Sequence, residues 1–288
     1  MINFIYNIPT FLLLALLFVL FLFLSFTTVV LVHRFVPLEV RTKSNGLIEF
    51  LNTSIGPVYA ILVGFTILSE IQNYNDVTMI EHQEATKAAS IYRASALLPN
   101  PIKQEIQNSL KTYIAVVLYK EWPSYAPGRQ PTRESEAVLI NLLSKIASYK
   151  VSDPMQQSFL KDITTSIDEL FDYNDDRVAH VGVALNPDIW FVIILATLLF
   201  LGVQCFYGAE FYMHLSAVFV MSLITASVTY LIVALDHPFV GYYSVKPTTF
   251  KNALIFMDKK NQGALQSQKI SLPGKNVTLP GNPLSPSR

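Results

Sequence analysis

One run of carboxylates in this chain has a spacing that suits the binding of a cation. Asp168, Asp172 and Asp176 recur every four residues, so a helix would carry all three on one face. Three carboxylates on one face gather a hard cation or form a negative vestibule. The other interpretation is a solvated helix face, which the absence of a Gly turn or a loop of backbone carbonyls favours. In either case we expect the neighbouring Arg177 to neutralise part of the charge.

Other signs of catalysis or cofactor binding are weak. The five histidines have no metal-ligand spacing, and the sequence has neither a phosphate-binding Gly-rich loop nor a nucleophile elbow. The single cysteine, Cys205, lies in an apolar run, which rules out a disulfide or a thiolate metal site within one chain. We therefore predict no enzyme activity, no bound metal and no cofactor. The formal net charge of zero gives no basis for binding nucleic acid.

Four long apolar runs define the membrane-spanning elements of the chain. They cover residues 10–32, 50–69, 189–207 and 211–235. Each is close to the ~20 residues that a helix needs to cross a ~30 Å hydrocarbon core. The first run has no basic residue before it and no small-residue cleavage site after it, so we expect it to remain in the mature protein. The sequence predicts an all-α integral membrane protein with four transmembrane helices.

The short connections between the runs join them into two hairpins, residues 1–70 and 187–240. Only Gly208, Ala209 and Glu210 separate the last two runs. Both hairpins therefore enter the membrane from one side, which leaves the two termini and the polar stretch 71–186 on the other. Lys and Arg are almost equally divided between the two sides, so the positive-inside rule does not orient the protein.

The polar stretch has the pattern of a helical domain. Residues 75–98 contain no Pro or Gly and favour a helix that continues the second run out of the membrane. We expect the next helix to have Asn100 as its N-cap and Pro101 as its first residue, and to end at Glu121-Trp122-Pro123. Two further helices are predicted, one over 132–149 and one that begins at Asp153-Pro154.

The C-terminal segment, residues 241–288, becomes polar along its length. From Asp258 onward it is rich in Lys, Gln, Asn, Ser, Gly and Pro and has few large apolar residues. Such a composition does not compensate the entropy of ordering, so we expect residues 258–288 to be mobile.

The second apolar run is more polar and more broken than the other three. Gly56 and Gly64 lie eight residues apart on nearly one face, which permits close packing against another helix. Pro57 breaks the helical hydrogen-bond ladder, and other helices or water then have to satisfy the freed carbonyls. Two interpretations remain open, a buried packing helix or a helix that lines a water-filled path.

Several short motifs resemble those of one family. They are Gly56-Pro57-Val58-Tyr59-Ala60-Ile61-Leu62-Val63-Gly64-Phe65, Tyr74, Glu84-Ala85, Glu121-Trp122-Pro123, Pro187-x-x-Trp190 and Asp236-His237-Pro238-Phe239-x-Gly241. Over about residues 1–250 the chain resembles the bestrophin-like family of membrane proteins, which is distantly similar to the bestrophin ion channels. The element made by Asp236, Pro238, Phe239 and Gly241 is the most specific part of the resemblance.

The resemblance implies a homo-oligomeric ion channel, a pentamer, in the cell (inner) membrane. Its partners would be the lipid bilayer, further copies of the chain and small inorganic ions, and both termini and the helical domain would be cytoplasmic. The second helix would line the pore, with Pro57, Ile61 and Phe65 as an apolar neck that gates by dewetting. The chain lacks, after Phe239, the acidic cluster that binds calcium in animal bestrophins, so calcium gating is not implied.

Two other functions remain as alternatives. The first is a non-conducting membrane sensor or scaffold in which residues 75–185 bind a partner and the transmembrane helices only anchor the chain. The second is a membrane-bound enzyme that would use the acidic face around Asp172.

Overall fold

The structure is a computed structural model that describes residues 10–125, 131–150 and 153–270. This part of the chain is helical and contains no strand. The helices in the first half are α1 Thr10–Phe35, α2 Leu38–Lys43, α3 Asn45–Ala94, α4 Ile102–Val116 and α5 Trp122–Ser124. Those in the second half are α6 Glu134–Ser148, α7 Pro154–His180, α8 Pro187–Cys205, α9 Phe211–Leu235 and α10 Thr248–Ile270. The all-α membrane fold predicted from the sequence is confirmed.

Four of these helices, α1, α3, α8 and α9, are long and apolar enough to cross a membrane. They do not pack mainly within their own hairpins. Helix α1 packs along α9, where Phe18 and Phe219 meet edge to face at 5.4 Å between ring centroids and Ser222 donates to Ser25 at 3.3 Å. Helix α3 packs against α8, with the Tyr59 and Phe200 rings stacked at 4.9 Å. The two hairpins are therefore held together by contacts across them.

The two hairpin loops are joined to each other at one end of the bundle. The side chain of Asn45 accepts a hydrogen bond from the N–H of Gly208 at 2.7 Å and donates to its carbonyl oxygen at 3.1 Å. A Cβ on Gly208 would lie 2.5 Å from the backbone nitrogen of Thr42. Only a glycine permits this approach of the two backbones.

Helix α3 is one continuous helix of 50 residues, which at 1.5 Å per residue is about 75 Å long. It is far longer than a ~30 Å hydrocarbon core, so the second span and the first domain helix form one rod, as the sequence predicts. Pro57 lies inside this rod without ending it. A proline removes one N–H from the hydrogen-bond ladder, as the sequence analysis expects, but the helix continues on both sides of it.

The domain core forms where the free end of α3 meets α4, α6, α7 and α10. The apolar face of α4 is buried, as its spacing predicts, and consists of Ile102, Ile106, Leu110, Tyr113 and Ile114, followed by Val117 of the next turn. Leu139 and Leu142 from α6 and Ile167 and Leu170 from α7 complete the same cluster. Burial of each such aliphatic side chain contributes about 1.5–3 kcal/mol to folding.

Several helix ends differ from the sequence prediction. Helix α4 begins at Ile102, with Pro101 rather than Asn100 as its N-cap. The helical run also does not end at Glu121-Trp122-Pro123. A π-helical turn, Val117–Glu121, leads directly into α5, so the run ends at Ser124. Helix α7 begins after Asp153, as predicted, and the Asp153 side chain accepts from the N–H of Met155 at 3.0 Å. The helix ends at His180.

Helix α10 occupies part of the segment that the sequence analysis expected to be mobile. Its first turn is capped from α3, since Glu81 accepts from the N–H groups of Thr249 at 2.7 Å and of Phe250 at 3.3 Å. Phe250 and Met257 are buried in the domain core. The helix continues to Ile270, so residues 258–270 are helical, while residues 271–288 lie outside the described part.

Candidate functional site

One face of α3 has no partner within the described residues, and it contains the predicted neck residues. Pro57, Ile61 and Phe65 are all exposed, Ile61 at 59% and Phe65 at 69%. The opposite face is buried through Tyr59 and Val63, which pack against α8 and α9. The i, i+4, i+8 spacing therefore places the three predicted neck residues on one free apolar face, as helical geometry requires.

The free face continues beyond the membrane and changes in character there. The residues exposed along it after Leu68 are mostly polar, with one methionine among them: Gln72, Asn75, Asp76, Met79, Gln83 and Thr86. Because α3 is unbroken, the apolar part and this polar part are rigidly aligned. The change falls near Ser69, where the apolar run ends, so the same surface passes from an apolar to an aqueous environment.

The two glycines on α3 differ in their surroundings. A Cβ on Gly56 would lie 3.9 Å from the Phe200 ring, which is an ordinary contact with α8. A Cβ on Gly64 would meet nothing within 4 Å. Neither position shows a contact so close that it requires a glycine, and the helix-packing role of Gly56 and Gly64 remains a prediction.

The motif from Asp236 to Gly241 forms the elbow that connects α9 to α10. The Asp236 carboxylate accepts from the N–H of Leu185 at 2.6 Å, which fixes the chain just before α8. The Pro238 carbonyl oxygen accepts from the N–H of Val245 at 2.8 Å. Gly241 has φ 91°, a left-handed conformation that a glycine adopts without strain.

The aromatic ring of Phe239 anchors the same elbow to the domain. It meets Trp122 at 5.4 Å and Tyr125 at 5.2 Å between ring centroids, both in edge-to-face geometry. The motif residues of the elbow and the Trp122 motif are thus brought together, although more than a hundred residues separate them in sequence. Glu70, at the domain end of the apolar run of α3, is buried as well.

A buried ion-pair network joins α3 to the rest of the domain. Arg177 of α7 donates from Nε to Glu84 of α3 at 2.7 Å and from Nη2 to Glu121 at 2.9 Å, and all three side chains are at most 1% exposed. Tyr113 also donates to Glu84, and Asn174 donates to Ser135 at 2.8 Å. The π-helical turn brings Glu121 to the interior.

The electrostatics of the network follow from its burial. The nearby carboxylate of Glu84 raises the pKa of Arg177 although burial alone would lower it. Burial, together with the charge of Glu84, raises the pKa of the Tyr113 phenol well above its ordinary value. The guanidinium is therefore charged and the phenol neutral, so the network can hold α3, α4 and α7 in one arrangement.

The sequence analysis did not predict this network, and its prediction for Arg177 was wrong. Arg177 does not neutralise the acidic run, because it points into the core. The available signal was polar residues in apolar helical rows: Glu84 follows Ile80 by four residues, and Arg177 follows Leu170 by seven. Such a position predicts a buried charge, but the partner of that charge lies elsewhere in the sequence.

The acidic run itself faces outward. Asp168, Asp172 and Asp176 are exposed on α7. Their neighbours Glu169 and Asp175 form surface pairs, with Lys87 and with Arg133 at 3.0 Å respectively. Within residues 10–125, 131–150 and 153–270, no three His, Cys, Asp or Glu side chains are placed to hold a metal ion. A role for the run as a cation vestibule remains a prediction.

These features define a helical membrane protein whose second span and domain share one rod. A sequence profile described as the bestrophin-like domain matches residues 19–250, and the chain belongs to the bestrophin-like family. The structure is similar to a crystal structure described only as that of a membrane protein, with a TM-score of 0.61 and 14% sequence identity over 85% of this chain and 98% of that one. This similarity shows the fold. No match was found among the curated proteins.

Proposed function

We propose that the chain is one subunit of an oligomeric ion channel of the cell inner membrane, and that α3 lines its pore. The observation that carries the proposal is the free face of α3, on which Pro57, Ile61 and Phe65 are exposed while the opposite face is packed. No element among the described residues covers this face, and symmetric copies around a shared axis would bring it to the centre.

The chemistry of the face distinguishes it from an ordinary lipid-facing surface. Helix α1 also exposes large apolar residues, Phe11 and Phe23 among them. The face of α3 differs because a polar stripe follows it beyond Leu68. On the other side of the neck it carries the exposed hydroxyls of Thr53 and Ser54, a feature that α1 shares through Thr27. Both hydroxyls donate to the helix backbone, at 2.8 Å each, so the face is polar without leaving unsatisfied groups.

The neck would act as a hydrophobic gate. A ring of Ile61 and Phe65 side chains excludes water when it is narrow, and the cost of dehydrating an ion then holds the path closed. The buried network of Arg177 would transmit movements of the domain to this gate, because α3 continues unbroken from Phe65 to Glu84. The family resemblance supports five subunits and a cytoplasmic domain.

The proposed activity needs no catalytic group, cofactor or bound calcium. Ions pass along the apolar neck and the polar stripe without covalent chemistry. The acidic run on α7 would lie outside the neck and would affect conductance only through its charge.

A flux assay tests the neck. The full-length chain is reconstituted in vesicles as wild type and as the double variant Ile61→Ala, Phe65→Ala, and ion flux is measured. We expect higher flux in the variant because the neck is widened. The matched control is Leu20→Ala, Phe23→Ala on α1, where the exposed fractions are similar at 53% and 69%. The control variant should leave flux unchanged.

Two results would refute the channel. One is a double variant that melts earlier and passes no ions, which is expected if Ile61 and Phe65 only pack between helices, at a cost of about 2–5 kcal/mol each. The other is a monomer in native mass spectrometry of the detergent-solubilised protein. Either result favours the non-conducting scaffold whose helical domain binds a partner.

A further inference from the structure

The polar stripe of α3 beyond Leu68 carries one carboxylate close to the neck. Asp76 is exposed and follows Phe65 by eleven residues, which is about three helical turns, so both lie on the same face of the rod. At 1.5 Å per residue, Asp76 is about 16 Å beyond Phe65 on the domain side. Glu70 lies between them in sequence but is buried. The Asp76 carboxylate is therefore the first charged group beyond the neck on this face.

The charge of Asp76 is not neutralised from α3 itself. Residues 68–86 are all described, and Asp76 is the only exposed Asp, Glu, Lys or Arg among them. Glu81 and Glu84 are acidic but buried. His82 is exposed, but at about 100° per residue it is rotated by about 120° around the rod from Asp76. Asp76 also takes part in none of the ion pairs found among the described residues.

The basic side chains of neighbouring elements lie away from this face. The elbow and α10 pack on the opposite side of the rod, the elbow on Val77 and α10 through its cap from Glu81. The next basic residue along α3 is Lys87, which is paired with Glu169 of α7. Lys87 is also about 16 Å from Asp76 along the rod, which exceeds the ~8 Å Debye length at physiological salt. The surface around Asp76 therefore has a negative potential.

Symmetric copies of α3 around one axis would place one Asp76 from each subunit in a ring beyond the neck. A ring of like charges at the mouth of a narrow path concentrates ions of the opposite sign, by about 10–10³-fold in focused fields. Rings of Asp or Glu side chains select cations in this way. We propose that Asp76 makes the channel selective for small inorganic cations over anions. The inference rests on the proposed channel function, and the ring selects by charge because its exposed carboxylates stay hydrated.

Reversal potentials test the selectivity. The full-length chain with the widened neck, Ile61→Ala and Phe65→Ala, is reconstituted in planar bilayers under a gradient of potassium chloride. We expect potassium to permeate about tenfold better than chloride, the low end of such focusing. Asp76→Glu should keep this preference, Asp76→Asn should remove most of it and Asp76→Lys should reverse it. A higher salt concentration on both sides should weaken the preference, because salt screens a hydrated ring of charges.

The control is Asp188→Asn, which removes the same charge elsewhere. Asp188 is exposed in the first turn of α8, and α8 packs on the opposite face of α3, so this variant should keep the preference. A conducting Asp76→Asn variant with an unchanged permeability ratio would overturn the inference and leave the channel intact. If that variant also lost the oligomer in native mass spectrometry, Asp76 would be a subunit contact instead. A widened neck that passes no ions would refute the channel and the selectivity together.

Discussion

Nε of Arg177 lies 2.7 Å from Oε2 of Glu84, and both side chains are almost completely excluded from solvent. Glu84 is on the same helix as Ile61 and Phe65, about 29–35 Å along its axis at 1.5 Å per residue. This ion pair therefore attaches the domain to the rod that would line the pore, and a change in the domain would reach the neck without a flexible joint.

Removal of the guanidinium should strongly destabilise the domain. Arg177→Met leaves Glu84 and Glu121 buried without a counter-charge, which costs about 3–5 kcal/mol. Thermal unfolding in detergent measures the loss. The control is Arg133→Met, whose pair with Asp175 is half exposed and contributes about 0–1 kcal/mol. Equal effects of the two substitutions would contradict the role of the buried pair, and Glu84→Gln with Glu121→Gln should partly rescue Arg177→Met.

Tyr113→Phe should change the pH dependence of stability at alkaline pH. The pKa of Tyr113 is raised in the folded state, so the folded chain holds the phenolic proton after the unfolded chain, with a pKa near 10, has lost it. Wild-type stability therefore falls above about pH 10, by at most ~1.4 kcal/mol per pH unit, and the variant lacks this fall.

At pH 7 the same variant should be less stable by about 1–3 kcal/mol, because it removes a hydrogen bond to buried Glu84. In melting experiments, the difference in stability between wild type and variant should then become smaller from pH 9 to pH 11. Tyr119→Phe is the control, since Tyr119 is 70% exposed. A gap that stays constant across this range would exclude Tyr113 as the titrating group.

Two glycines near the hairpin loops should respond in opposite ways to alanine. Gly208→Ala places a Cβ 2.5 Å from the nitrogen of Thr42 and should lower the melting temperature, because two backbones must separate. Gly202→Ala lies within α8, where a Cβ meets nothing within 4 Å, and should be neutral or stabilising by up to ~1 kcal/mol. A stable Gly208→Ala protein would show that the two loops are not in contact.

Cysteine labelling tests the proposed orientation. Lys43→Cys lies on the exposed surface of a hairpin loop, and Ser148→Cys lies at the exposed end of α6 in the domain. A membrane-impermeant maleimide added to intact cells should label the first and not the second, and both should react after the membrane is opened. Native Cys205 is buried and should not interfere. The reverse pattern would place the domain outside the cell.

The sequence alone was sufficient for the parts of the fold that depend on local pattern. Four runs near 20 residues defined the membrane helices, and the spacing of Ile102, Ile106 and Leu110 identified the buried face of α4, because burial follows directly from periodicity. The absence of Pro and Gly over residues 75–98 indicated that α3 would leave the membrane unbroken. The motif resemblance identified the family that the profile confirms.

The tertiary structure decided which distant residues meet. Arg177 was assigned to the acidic surface from its neighbours in sequence, yet it pairs with Glu84 and Glu121, which are 93 and 56 residues away. The capping of the first turn of α10 likewise joins Glu81 to Thr249, which lies 168 residues away in sequence. Sequence patterns report the environment of a side chain along its own helix, whereas the partner of a buried charge is set by how helices pack, and that packing depends on the whole chain.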